Sequence, residues 1–270
     1  MTPGARVAAA IAVLDEVLAG APAEKCLTAW ARGARYAGSA DRAMVRDHVY
    51  QALRCRRSCA CLGGAATGRG IMLGLLRAEG TDPEGLFTGE GHAPPPLTQA
   101  ERAAGNAPVA AADRLDLPDW LLAAFEDSLG DEAVAAARAL RGRAPVILRA
   151  DMKIKNRSQV IDILHEDGIE AAPLTIADSA LELRDGARRL RQSRAWREGL
   201  VEIQDGSGQA AMALIELIEG ARVLDYCAGG GGRCWRWRHG RGGGGGGLPM
   251  TRKPGECAIC RRGPRAPGCG

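Results

Sequence analysis

Apolar residues recur at helical spacing from the start of the chain, with Val7, Ile11, Leu14 and Leu18 on one face, as a 3.6-residue repeat requires. Asp41 stands where it can cap a further helix whose inner face carries Val45, Val49 and Leu53. Ile71, Met72, Leu75 and Leu76 continue the signal, so the first part of the chain predicts a helical bundle. Residues 80–112 interrupt it. Asp82-Pro83, Gly89, Gly91 and the Pro94-Pro95-Pro96 run predict a connector with polyproline character. Pro118 then opens a helix with Trp120, Leu121, Leu122, Phe125 and Leu129 as its apolar face. Gly130 ends that helix, and Asp131 can cap the next one through Leu140.

The pattern changes class at Pro145. Val146-Ile147-Leu148-Arg149 reads as a strand, Ser158 can cap a helix carrying Val160, Ile161 and Leu164, and Gly168 suits its end. The alternation around Leu181 and Leu183 predicts another strand, giving a small α+β module over residues 144–200. A strand at Leu200 to Gln204, a helix from Ser207 to Ile218 and a strand at Arg222 to Asp225 then alternate as the units of a parallel α/β sheet do. The organisation expected is therefore helical over 1–142, α+β over 144–200 and the opening of an α/β domain over 201–233.

Composition alters this reading mainly at the far end. Of the 38 residues from 233 to 270, 31 are Gly, Arg, Pro, Cys, Ala or Trp, and the only branched aliphatics are Leu248 and Ile259. So little apolar surface does not offset the roughly 1–2 kcal/mol that ordering each residue costs, and a disordered tail over 234–270 is expected. These are residue types that GC-rich codons encode, next to a glycine run where a base is easily gained or lost, so an out-of-frame tail is the further expectation. The same segment holds 9 Lys and Arg against 1 acid. Without it the net charge of +4 becomes −4, so overall charge gives no argument for nucleic-acid binding.

The nine cysteines are odd in number and scattered. No stretch approaches the roughly 20 apolar residues of a membrane span, and the N-terminus lacks the layout of a secretory signal. A cytoplasmic protein with reduced thiols and no membrane partner is expected.

The residues with most chemical content are Val223-Leu-Asp-Tyr-Cys-Ala-Gly-Gly-Gly-Gly-Arg233. Glycines after a strand let a ligand approach backbone N–H groups without a Cβ clash, and Asp225 can orient the loop. Taken with two other stretches, this one carries a resemblance. The helix Asp41 to Tyr50 with Leu53-Arg54, the segment Val201-Glu-Ile-Gln-Asp-Gly-Ser-Gly-Gln209 and the glycine motif together resemble the RsmB/Sun group of RNA (cytosine-5) methyltransferases.

The resemblance implies a NusB-like RNA-binding bundle, an RRM-like connector and a Rossmann-like methyltransferase domain. It implies S-adenosylmethionine as cofactor, held by Cys227, Ala228, Gly229, Gly230, Gly231, Gly232 and Arg233, and ribosomal RNA as partner. It also draws attention to Arg42, Arg46, Arg54, Arg56 and Arg57 as RNA contacts, with Lys25, Arg32, Arg35 and Arg69 as further members of a phosphate-binding face. Departures are Gly208 where the group has Ser, Gly230 for Pro and Arg233 for Lys. The group's Asp-Ala-Pro-Cys and Thr-Cys-Ser motifs are missing from these 270 residues, so no catalytic residue is assigned and no methyl transfer is expected. The alternative is a NusB-like RNA-binding or antitermination module without catalysis.

Blander readings apply elsewhere. The resemblance puts Cys227 among the cofactor contacts rather than in catalysis. Cys257 and Cys260 make half a zinc ribbon with no hydrophobic scaffold, so no metal is assigned. Cys55, Cys59 and Cys61 fall in a helical context and are expected to be buried or half-buried thiols, and His48 and His165 to be structural or exposed. A monomer is expected.

Overall fold

The computed structural model describes residues 1–215 and the short strands 223–225 and 247–249. They fall into two compact units, Met1–Ala144 and Pro145–Gly270.

The first unit is helical. Its elements are α1 (Pro3–Leu18), α2 (Ala23–Gly33), α3 (Ser39–Arg54), α4 (Arg56–Gly63), α5 (Gly68–Ala78), α6 (Gln99–Ala103), α7 (Ala111–Leu115), α8 (Asp119–Leu129) and α9 (Ala133–Leu140). Local chemistry sets several of the starts. Thr2 caps α1 by accepting from the Ala5 N–H, with Pro3 in the first turn. Thr67 does the same for α5 through the Gly70 N–H. Asp41 serves α3 from inside its first turn: Gly38 is the cap residue, and the Asp41 carboxylate accepts from the Gly38 N–H at 3.3 Å.

α5 is apolar all round, with Ile71 to Leu73 and Leu75 to Leu76 all buried, and so it becomes the central helix. Val7, Val13 and Leu14 of α1, and Val45 and Val49 of α3, close on it, each buried large aliphatic contributing about 1.5–3 kcal/mol. α4 and α5 meet at 91° with backbone against backbone. A Cβ on Gly74 would lie 1.8 Å from the Cys59 carbonyl oxygen, and one on Gly63 would lie 1.8 Å from that of Gly70. Only glycine permits this approach.

The segment expected to be a polyproline connector is instead part of this core. Phe87 and Leu97 are buried against it, and the Arg69 guanidinium sits 4.7 Å from the Phe87 ring centroid. Arg69 also donates to Glu101 at 2.6 Å and to the carbonyls of Pro95 and Pro96. Prolines remove donors without preventing carbonyls from accepting, so a side chain elsewhere supplies the bonds. On α8, Trp120 is 74% exposed while Leu122 is buried, so Trp120 lies off the buried face. A 3₁₀ turn at Gly130–Glu132 precedes α9, which has no side-chain cap from Asp131.

The second unit begins with β1 (Val146–Ala150), followed by α10 (Arg157–Glu166), β2 (Ala171–Pro173), β3 (Ala180–Leu183), α11 (Arg194–Arg197) and β4 (Val201–Ile203). Asn156, not Ser158, caps α10, in a reciprocal box with Gln159. The sheet order is β2-β3-β1-β4 with every neighbouring pair antiparallel, which is two interleaved βαβ units. Leu148, Leu164, Ile169, Leu181, Leu190 and Leu200 fill its core.

The strand expected to lead a parallel sheet is therefore an antiparallel edge strand, with Leu148 opposite Ile203 and Ala150 opposite Val201. Val201 joins the core beneath β1 while Ile203 stays exposed, which alternation alone does not reveal. α12 (Gly206–Ala213) follows, and β5 (Val223–Asp225) pairs in parallel with β6 (Gly247–Pro249).

Two consequences are measurable. Gly74→Ala should destabilise the protein by about 3 kcal/mol, because overpacking against a fixed carbonyl outweighs the roughly 1 kcal/mol gain in helix propensity. Gly33→Ala, with nothing within 4 Å of its Cβ, should be neutral or slightly stabilising. Urea unfolding reads both. Glu101 is held at about 2 by the hydrogen bond from Arg69 and then by the Thr98 N–H. Its folded value lies below its ordinary 4.5, so its stabilisation is complete above about pH 4.5 and is lost as pH falls toward about 2. Glu101→Gln, which preserves the capping box, should flatten the dependence of Tm on pH in that window.

Candidate functional site

The five arginines singled out in the sequence do not form one face. Arg57 donates to Asp113 at 2.7 Å and to Asp119 at 3.3 Å, ties that raise its pKa, the Asp113 bond foremost. Arg54 donates to Gln51 at 2.6 Å. Arg56 is exposed and has no hydrogen-bond or ion-pair partner among the described residues. Arg69 is committed to the Pro-rich segment. Next to Arg57 lies the most buried acid of this unit. Asp116, with a left-handed φ of 56° and a side chain 2% exposed, accepts from the Ser58 N–H and hydroxyl at 2.8 Å and pairs with Arg141 at 2.9 Å. It caps the first turn of α4 from 58 residues further along the chain. The charge around α4 therefore holds the fold.

Arg42 and Arg46 are placed differently. They lie one turn apart on α3 and, with Leu27, Thr28, Trp30, Ala31 and Arg32 of α2, line a cleft of about 380 Å³. α2 and α3 run in opposite directions across α1, tied at one end by Tyr50 donating to Glu24 at 2.7 Å and at the other by Arg42 donating to the Ala34 carbonyl at 3.4 Å. The nearby acids are engaged elsewhere. Asp41 takes the N-terminal ammonium at 3.0 Å and Arg6 at 2.8 Å, which hold its carboxyl below the usual range, and Asp47 takes Arg143 at 3.3 Å. Arg32, Arg42 and Arg46 are exposed and form no ion pair among the described residues. Such an arrangement attracts anions. Trp30 was missed in the sequence, although an aromatic flanked by Lys25, Arg32 and Arg35 was a usable signal.

The thiols of α4 and its start are shielded. Cys55 and Cys59 are buried and Cys61 half-buried, all free, and burial pushes Cys59 up to about 12. His48 is half-buried and burial lowers its pKa, while His165 is exposed, 3.4 Å from Glu170.

In the second unit, the motif residue Gln209 is buried and acts as a latch. Its amide donates to the Leu148 and Gln204 carbonyls at 3.1 and 3.0 Å and accepts from the Ser179 hydroxyl at 2.9 Å. Beside it is a polar cavity of about 130 Å³ lined by Arg149, Asp151, Ser179, Gln204, Gln209 and Met212. Arg149 reaches Glu202 at 3.3 Å, and Asp151 accepts from the Lys153 N–H at 3.1 Å. Asp205 caps α12 through the Ser207 N–H, and its pKa is lowered by Ser207. The cofactor-loop residues Cys227 to Arg233 lie outside the described residues, as does the tail apart from 247–249. The strand that leads into the loop, β5, is described.

Comparison with known proteins bears on the same region. Residues 117–188 match the family described as Methyltr_RsmF/B-like, ferredoxin-like domain, and β1 to β3 with α10 fall within that match. The chain is similar to ribosomal RNA small subunit methyltransferase B of Pseudomonas syringae pv. tomato, at 31% identity over 116 residues, 43% of this chain and 26% of that protein. It is similar to the protein of the same name from Xylella fastidiosa strain 9a5c, at 33% over 137 residues, 51% of this chain and 32% of that one. The Vibrio cholerae protein of that name is 27% identical over 165 residues, 61% of this chain and 34% of its own length. The chain thus matches about a quarter to a third of the length of these relatives. The crystal structure of PH0851 shares the fold with a TM-score of 0.62 at 16% identity, covering 95% of this chain and 65% of that one. Among the described residues no single helix is long and apolar enough to cross a membrane.

The division of labour among the arginines is testable by urea unfolding. Asp116→Ala should cost about 3 kcal/mol, since it strips a buried cap and leaves Arg141 unpaired. Arg57→Ala should cost about 1 kcal/mol, and Arg46→Ala less than about 0.5 kcal/mol.

Proposed function

Because residues 117–188 match the RsmF/B-like ferredoxin-like domain and the chain is similar to ribosomal RNA small subunit methyltransferase B proteins, we propose that it belongs to the RsmB/Sun group of RNA methyltransferases and acts on ribosomal RNA in cytosine-5 methylation that uses S-adenosylmethionine. The carrying observation is the α+β unit, whose β1 to β3 and α10 fall within the family match and whose Gln209 latch is built from the lead-in motif. In this reading the helical unit is the NusB-like RNA holder. The unit around β1 to β4 is the RRM-like connector. Residues from Gly206 through Arg233 open the Rossmann-like domain.

The strand β5 running into Cys227 to Arg233 supports the assignment of the glycine loop to the cofactor, since the strand-then-glycine order is what backbone N–H contact with such a ligand requires. When bound, S-adenosylmethionine supplies the methyl group from its sulfonium centre. In the family's chemistry a cysteine thiolate adds to carbon 6 of cytosine, making carbon 5 nucleophilic toward the methyl group, and a base later removes the carbon 5 proton, which restores the 5,6 double bond and expels the thiolate. No Pro-Cys or Thr-Cys dipeptide occurs among these 270 residues, and the described thiols are free and half-buried or buried. No bond-making step is therefore assigned to a residue of this chain. Its own contribution is RNA binding and positioning.

The unpaired arginines beside Trp30 also favour the second reading, a NusB-like RNA-binding or antitermination module without catalysis. Incubating the 270-residue protein with ribosomal RNA and methyl-labelled S-adenosylmethionine separates the two. We expect RNA retained in a gel shift and no label in cytosine. Labelled 5-methylcytosine would place the catalytic thiolate within these residues and exclude the non-catalytic reading.

A further inference from the structure

We infer that the α2–α3 cleft is a nucleotide subsite for single-stranded RNA, in which Trp30 stacks on one unpaired base while Arg42 and Arg46 hold the adjoining phosphates. This deepens the RNA-binding reading above and rests on it. The cleft holds about 380 Å³, against about 150 Å³ for a cavity that takes one benzene ring, so it has room for a base and part of its backbone. Trp30 is half-buried: it packs against the bundle core and also lines the cleft. The core contact fixes the indole before any ligand arrives, and a fixed aromatic loses little entropy on stacking.

The charges are preorganised in the same way. Arg42 is steadied by its bond to the Ala34 carbonyl, and Arg46 follows one turn later on the same face of α3, with Arg32 on the opposite wall. The acids that would compete for them, Asp41 and Asp47, are held by Arg6 and Arg143. Elsewhere in the unit the contrast is clear, since Arg57, Arg69 and Arg102 are each tied to a carboxylate. An aromatic surface beside guanidinium groups is the chemistry that takes single-stranded nucleic acid, because every base has a π-face and every linkage a phosphate. A duplex fits poorly, since its bases are already stacked on one another.

The test uses the full 270-residue chain, a fluorescently labelled single-stranded RNA oligonucleotide and anisotropy across a salt series. Trp30→Leu keeps apolar bulk against the core and removes the aromatic face. It should weaken binding about tenfold with an unchanged salt slope, while Trp30→Phe stays close to wild type. Arg42→Ala with Arg46→Ala should weaken binding and reduce the slope of log K against log salt by about 1.4. Unlabelled duplex of the same sequence should compete poorly.

Wild-type affinity in Trp30→Leu, or duplex competing as well as single strand, would overturn the subsite while leaving RNA binding intact. Failure of the wild-type chain to bind RNA would instead remove the RNA-binding reading and the subsite with it.

Discussion

The close backbone approach of α4 and α5 is what the helical unit depends on. With Gly63 and Gly74 each facing a carbonyl at a distance no side chain tolerates, the two helices cross almost at right angles and bury α5 on every side. That crossing decides where the ends of α4 point. One end meets Asp116, which caps it. The other meets Arg77, whose guanidinium donates to the carbonyls of Leu62 and Ala104 at 2.7 Å and of Glu101 at 2.7 Å. Both ends of one short helix are thus satisfied by side chains and backbone far along the chain.

The same geometry sorts the basic residues by role. Around α4 and the Pro-rich segment, Arg57, Arg69, Arg77 and Arg141 hold the fold by donating to carboxylates and main-chain carbonyls there. Across α1, on α2 and α3, the neighbouring acids are already engaged and the arginines keep their charge for a ligand. A chain whose first 232 residues carry a net charge of −4 can therefore present a locally cationic cleft.

In the α+β unit the corresponding element is Gln209. Its amide binds two main-chain carbonyls from different segments and accepts from Ser179, so it fastens α12 to β1. This residue of the segment Val201 to Gln209 thus has a structural task.

The sequence by itself determined the helical character of the first unit, the start of the α+β unit near Pro145, the stops at Gly130 and Gly168, and the resemblance to the RsmB/Sun group. These rest on local rules: periodicity, glycine and proline chemistry, and a motif order confined to short stretches. What it did not reveal depended on partners distant along the chain. The Pro-rich segment became core because Arg69 and the apolar surface of α1 and α5 were there to receive it. β4 joined an antiparallel edge because β1 offered unpaired backbone groups and a core to cover, and an alternating pattern is blind to which strand lies alongside. Arg57 and Arg46 are alike in sequence, both in basic helical stretches, and only the tertiary structure set acids around one and an indole-lined cleft beside the other.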